Sequence, residues 1–249
     1  MSVPDTEEDD PFESPKLLLD GARRHIAAFE KGVEDLRIQR WADPQSPGDG
    51  IRVLPGFKVA PQMKQIAFDL IQNLRSALDH AVFASTFVLT GYDGEGGTKF
   101  PFGDAKKDAI DDAKRKCRKV PPAMVEYLLA FEPYAEGNPI LHGLNRLRNT
   151  KSHRVLVPVS AFSSKVTTAR AKSAKNTSYA WQGLTKGIEK AVHEFEFPPG
   201  TEANIFRLEV SIGTGTFAGE PALGVFNRMF GEVERVVSAI EAETIRLKG

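Results

Sequence analysis

Two of the five histidines in this chain close the same short pattern. NLRSALDH sets Arg75 five positions before His80, and LRNTKSH sets Arg148 five positions before His153. Histidine is the side chain whose proton affinity lies nearest neutral pH, and arginine is a fixed cation suited to holding an oxyanion. An Arg-x4-His pair thus has the parts needed to move a proton beside a negative group. The same residue types also tie helices together, because a buried polar group must find a partner.

Helical geometry treats the two copies differently. In the first, Leu70, Leu74, Ala77 and Ala81 define an apolar stripe. Asn73 and His80 fall on one flank of it, Arg75 on the other, and Asp79 nearly opposite. At about 100° per residue, Arg75 and His80 lie roughly 140° apart and share no face of a regular helix. Asn73, Arg75, Asp79 and His80 then read as polar ties to neighbouring helices.

In the second copy the stripe of Ile140, Leu141, Leu144 and Leu147 continues onto Arg148 and Lys151. A core-facing arginine is expensive unless it is paired or lines a cavity. His153 approaches Arg148 only if the helix breaks near Asn149 and Thr150, which the strand-like VLVPV that follows favours. His142 and His153 would share a face but stand about 16 Å apart along the axis, too far to hold one metal ion. No metal site and no cofactor is expected.

Other catalytic signatures are missing from the sequence: it has no Walker loop, no G-x-S-x-G, no H-E-x-x-H and no G-x-G-x-x-G. GYDGEGG lacks the lysine of a phosphate cradle and reads as a loop. The single cysteine, Cys117, excludes an internal disulfide framework and a cysteine-rich zinc site. It stands among Lys114, Arg115, Lys116, Arg118 and Lys119, whose charge favours the thiolate.

Net charge is formally zero but unevenly spread. Residues 1–15 carry six acids and no base, whereas residues 146–190 carry ten Lys/Arg against Glu189. Such a surplus concentrates polyanions, and Tyr179 and Trp181 lie within it to stack on bases. Lys151, Arg154, Lys165, Arg170, Lys172, Lys175 and Trp181 are the RNA-binding candidates; the alternative is a solvated basic region.

The elements that must position these residues follow from apolar spacing. Residues 1–15 read as a disordered acidic tail. Helices are predicted over 15–41, 61–90, 104–118, 120–131 and from Ile140 to at least Arg148, with a long amphipathic helix from Pro221 to Leu247. Strand-like stretches are IRVLPGFKV, VLVPVSAF, SKVTTARA, AVHEFEF and NIFRLEVSI. The predicted fold class is α+β: one domain over 16–249, a helical bundle (16–153 and 220–247) with a β-rich insertion (154–213) before the C-terminal helix. The acidic start has no secretory signal and no apolar run spans a bilayer, so a cytoplasmic protein without membrane contact is expected.

LRSALDH, FPF, LLAFEPY and LNRLRNTKSHRVLVPV occur in an order that resembles a widespread group of uncharacterised bacterial proteins, over roughly residues 16–160. NTKSHR here stands where that group more often has an aspartate before the lysine-histidine-arginine. More distantly, RNTKSH resembles the Arg-polar-x3-His signature of the HEPN superfamily, helical-bundle proteins that include metal-independent RNases. The resemblance gives Arg148, Asn149 and His153 the signature positions; Arg75 and His80 match its spacing, with Ser76 only weakly like its polar residue. It implies an endoribonuclease or RNA-binding protein. His153 would be general acid or base on an RNA 2′-hydroxyl and Arg148 would stabilise phosphoryl charge. It further implies a homodimer with the site between protomers. The competing reading is a non-catalytic interaction protein in which Asn73, Asp79 and the Arg/His groups form an internal polar lock. A small-molecule module with Arg148 gripping an anionic ligand is a third.

Overall fold

The structure, a computed structural model, describes residues 10–34, 40–42, 49–53, 61–94, 96–149, 159–166, 193–196, 206–212 and 215–249. Its centre is α2 (Pro61–Thr90), thirty residues without an internal glycine or proline, as its sequence predicts. α1 (Glu13–Glu34) packs along one side of α2 and α6 (Ala222–Lys248) along another. Phe29, Leu70, Leu74, Leu78, Phe226, Met229 and Val233 fill the space between them with almost no exposure. Burying such side chains contributes about 1.5–3 kcal/mol each, which holds the three helices together. Phe29 meets Phe226 edge to face, with ring centroids 5.1 Å apart.

α3 (Lys106–Lys116), α4 (Pro122–Leu129) and α5 (Pro139–Asn149) are shorter and cover the remaining faces. α5 starts where Asn138 accepts a hydrogen bond from the Leu141 N–H at 3.0 Å, with Pro139 in the first turn. The Asn138 amide also donates to Glu232 of α6 at 2.7 Å, fixing the two helices relative to each other. Gly143 lets α5 approach the Phe217 ring: a Cβ there would fall 2.1 Å from a ring carbon.

The expected α+β fold with a β-rich insertion is overturned. Most of the described residues are helical. Among the residues whose side chains are described, the buried apolar core is supplied by helices and loops, with Ile212 at the end of a strand. The short strands do not form an insertion of their own either. β1 (Arg40–Ala42) and β2 (Asp49–Val53) precede α2, and β2 pairs antiparallel with β4 (His193–Glu196). β3 (Val159–Val166) pairs with β5 (Phe206–Ile212). Alternating β-type residues predict ladders, and two- and three-stranded ladders are what they form here. The core of the described residues is a helical bundle.

Two boundaries also shift. α1 ends at Glu34, and Trp41, predicted within that helix, lies in β1 opposite Gly50. At its other end, residues 10–15 belong to the fold rather than to an acidic tail. Phe12 is 3% exposed, and the Asp10 carboxylate accepts from the Phe12 N–H at 2.9 Å, just before the helix begins.

Candidate functional site

The first Arg-x4-His copy is dismantled by its own helix, as the wheel geometry requires. Arg75 turns inward and is 7% exposed, whereas His80 is exposed on the side facing α1. The His80 Nδ1 lies 2.7 Å from the Ser14 hydroxyl, a tie between α2 and α1. Asn73 lies on that same side: a Cβ on Gly21 of α1 would come within 2.6 Å of its amide nitrogen.

Arg75 has a different set of neighbours. One guanidinium nitrogen, Nη1, stands 2.5 Å from Asp79 Oδ1, yet makes no aligned hydrogen bond, so this contact is chiefly ionic. Nη2 donates to the Phe100 carbonyl at 3.4 Å, and the guanidinium carbon lies 4.4 Å from the centre of the Phe102 ring. Asp79 in turn accepts from the Phe100 N–H at 2.9 Å. Arg75 and Asp79 therefore grip both backbone groups of Phe100 and hold the FPF segment against α2. The contacts of Arg75 and Asp79 close on this segment and not on the 138–153 helix, where the polar lock was expected.

Phe102 continues the pattern on the next element. Its N–H donates to buried Asp112 at 3.0 Å, and Lys116 approaches the same carboxylate at 2.9 Å. Burial pushes the Asp112 carboxyl up; the bonds from Lys116, Arg115 and the Phe102 N–H together outweigh it and hold the group below its usual range.

The second copy lies at the end of α5. Leu141, Leu144 and Leu147 point into the core as expected, but Arg148 does not follow them. It is exposed in the last turn, where the reach of an arginine lets its head clear the edge of the core. Nη1 donates to the Asn149 side-chain oxygen at 3.1 Å, and the Asn149 amide donates to Asn145 at 3.2 Å. Among the described residues no carboxylate pairs with Arg148. His153, Lys151, Arg154, Arg170, Lys172, Lys175 and Trp181 lie outside the described residues, and Lys165 is placed only as a backbone position in β3.

His142, read in the sequence only as a metal candidate, forms a different group. Its Nε2 lies 2.9 Å from Asp104 Oδ1, and Arg146 lies 3.5 Å from the other oxygen of that carboxylate. The His142 bond and the Arg146 charge hold the Asp104 carboxyl below its usual range. His142 and Arg146 are an i, i+4 pair and predictable as neighbours; Asp104, on a preceding loop, is not. Among the described residues, no three His, Cys, Asp or Glu side chains come together as metal ligands.

Cys117 corrects a sequence expectation. It is 4% exposed, its Sγ–H points to the Lys99 carbonyl at 3.2 Å, and burial raises the thiol pKa to about 12. Desolvation, reinforced by the nearby Asp112 carboxylate, prevails over the attraction of Lys116, whose ammonium is turned to Asp112.

Comparison with known proteins finds no matching family model, no matching curated protein and no matching solved structure. Among the described residues no helix is long and apolar enough to cross a membrane.

Proposed function

We propose that this chain is an HEPN-like, RNA-directed protein of the cytoplasm whose working residues sit at the end of α5, and that the Arg75/His80 copy is structural. The observation that carries this reading is the contrast between the two arginines. Arg75 is buried against Asp79, while Arg148 is exposed beside Asn149 with no carboxylate partner among the described residues. An arginine without an internal acid is free to meet a phosphodiester.

The chemistry assigned to this site needs no metal. His153 accepts the proton of a ribose 2′-hydroxyl, whose oxygen attacks the adjacent phosphorus while the 5′-oxygen leaves and takes up a proton. Arg148 and the Asn149 amide stabilise the charge on the non-bridging oxygens. The products are a 2′,3′-cyclic phosphate and a 5′-hydroxyl. By the HEPN resemblance the acting form is a homodimer, and residues 146–190 contribute a basic approach for the RNA.

A second reading draws on the charged groups that are already paired internally. If Arg75–Asp79 and His142–Asp104 are all that the motifs supply, the chain is a non-catalytic interaction protein. Incubation of single-stranded RNA with purified protein in EDTA, followed by end-group analysis, separates the two. Fragments ending in 2′,3′-cyclic phosphate, abolished by His153→Ala, are the expected result. An inert wild type assigns the chain to the second reading.

A further inference from the structure

The described surface holds a second group of cations, at the C-terminal end of α3 and away from residues 146–190 in sequence. Lys114, Arg115, Lys116, Arg118 and Lys119 are contiguous apart from Cys117, and the fold adds Lys99 to them. The Lys99 N–H donates to the Lys116 carbonyl at 3.1 Å, and the Lys119 N–H to the Gly97 carbonyl at 3.0 Å. Gly97 makes this approach possible, with φ +78° and a Cβ position only 2.9 Å from the Lys119 stem.

Half of these charges are already answered. Lys114 pairs with Asp111, and Arg115 and Lys116 pair with Asp112. The negative end of the α3 dipole also favours them there, so those three are accounted for by the helix itself. Lys99, Arg118 and Lys119 are exposed and make no ion pair among the described residues. Lys119 instead places its ammonium 5.4 Å from the centre of the half-buried Tyr92 ring. Asp93, on the same loop as Tyr92, is an opposing charge close by in sequence.

We propose that Lys99, Arg118 and Lys119, with Tyr92 beside them, form a docking surface for the phosphate backbone of single-stranded RNA. Exposed cations without a carboxylate partner among the described residues, one of them held over an aromatic ring, are what the phosphates of a flexible polyanion require. A membrane surface is disfavoured, because among the described residues the large exposed apolar side chains are Leu17, Phe83, Phe87 and Ile245, none of them within 91–119. The inference shares with the α5 site only the class of ligand and does not require that site to be catalytic.

The test uses the full chain and a fluorescent 2′-O-methyl oligoribonucleotide, which binds but offers no 2′-hydroxyl for cleavage. Anisotropy titrations over a range of salt compare wild type with the combined variant Lys99→Gln, Arg118→Gln and Lys119→Gln. The variant should bind roughly tenfold or more weakly, and its log–log salt slope should fall by about 2, at roughly 0.7 per lost contact to a single strand. Thermal unfolding checks that the variant folds, and the double variant Lys99→Gln, Arg118→Gln replaces it if it does not. Unchanged affinity and slope, or a wild type that does not bind, overturns the proposal. So does displacement of the RNA by polyglutamate of equal charge, which would assign the surface to acidic proteins. Because the 2′-O-methyl probe is read by binding alone and offers nothing to cleave, failure of the cleavage reading and failure of the docking reading are seen separately.

Discussion

Arg75 shows how one side chain decides what a motif can do. Its charge is 8% exposed at the side chain and that of Asp79 is 25% exposed, so neither is screened as a surface pair would be. Removing Asp79 leaves the guanidinium buried beside an aromatic ring with no counter-charge, and frees the Phe100 N–H as well. Asp79→Ala should therefore destabilise the protein by about 2–4 kcal/mol in urea unfolding. His80→Ala, by contrast, should cost under about 1 kcal/mol, because that ring is exposed and its bond to Ser14 competes with water. The thiol of Cys117 provides a pH-dependent check. Its pKa is raised by burial from 9.0 to about 12, so in alkali the unfolded chain loses that proton before the folded one does. Stability should thus be unaffected by this group below pH 9 and decline above it, by about 2 kcal/mol near pH 10.5 relative to Cys117→Ala. Equal slopes for the two proteins would show that the thiol ionises as freely in the fold as outside it. The sequence could show that Arg75 and His80 part company, since helix angles settle that. It could not show that Arg75 closes on Phe100, because that contact joins residues 25 apart across a loop.

The elements divide between those whose pattern extends over many turns and those set by partners elsewhere. α2 was legible to the residue at both ends because Pro61 opens it and Gly91, with φ +72°, closes it. α5 was legible along its Leu141, Leu144 and Leu147 stripe, yet Arg148 left the stripe, since periodicity gives an angle and not the extent of the neighbouring surface. The strand-like segments misled for a related reason. Alternation signals a possible ladder partner, and only packing decides whether a sheet becomes a layer. Close packing at α5 can be tested directly. Gly→Ala inside a helix ordinarily stabilises by about 1 kcal/mol, but at Gly143 the new methyl would meet the Phe217 ring. Overpacking should prevail, with Gly143→Ala lowering stability by about 1–3 kcal/mol in the same urea assay. A stabilised variant would mean that the 215–217 turn moves away at little cost.

At the scale of the whole molecule, the bundle separates two uses of the same residue pattern. Its interior holds Arg75 and Asp79 as a fastener between α2 and the FPF segment, and the end of α5 presents Arg148 and Asn149 outward. That separation was not legible in the sequence, where helix angles put Arg148 on the apolar stripe and Arg75 on a flank, the reverse of the structure. The two arginines should therefore behave in opposite ways. The most direct measurement takes Arg75→Ala and Arg148→Ala through two assays, urea unfolding and cleavage of single-stranded RNA in EDTA. Arg148→Ala should keep wild-type stability within about 0.5 kcal/mol and lose roughly a hundredfold or more in cleavage rate. Arg75→Ala should lose about 2–4 kcal/mol of stability and, at a temperature where it remains folded, cleave at close to the wild-type rate. A wild type without activity, or an Arg148→Ala variant that cleaves normally, would contradict the assignment of function to the end of α5.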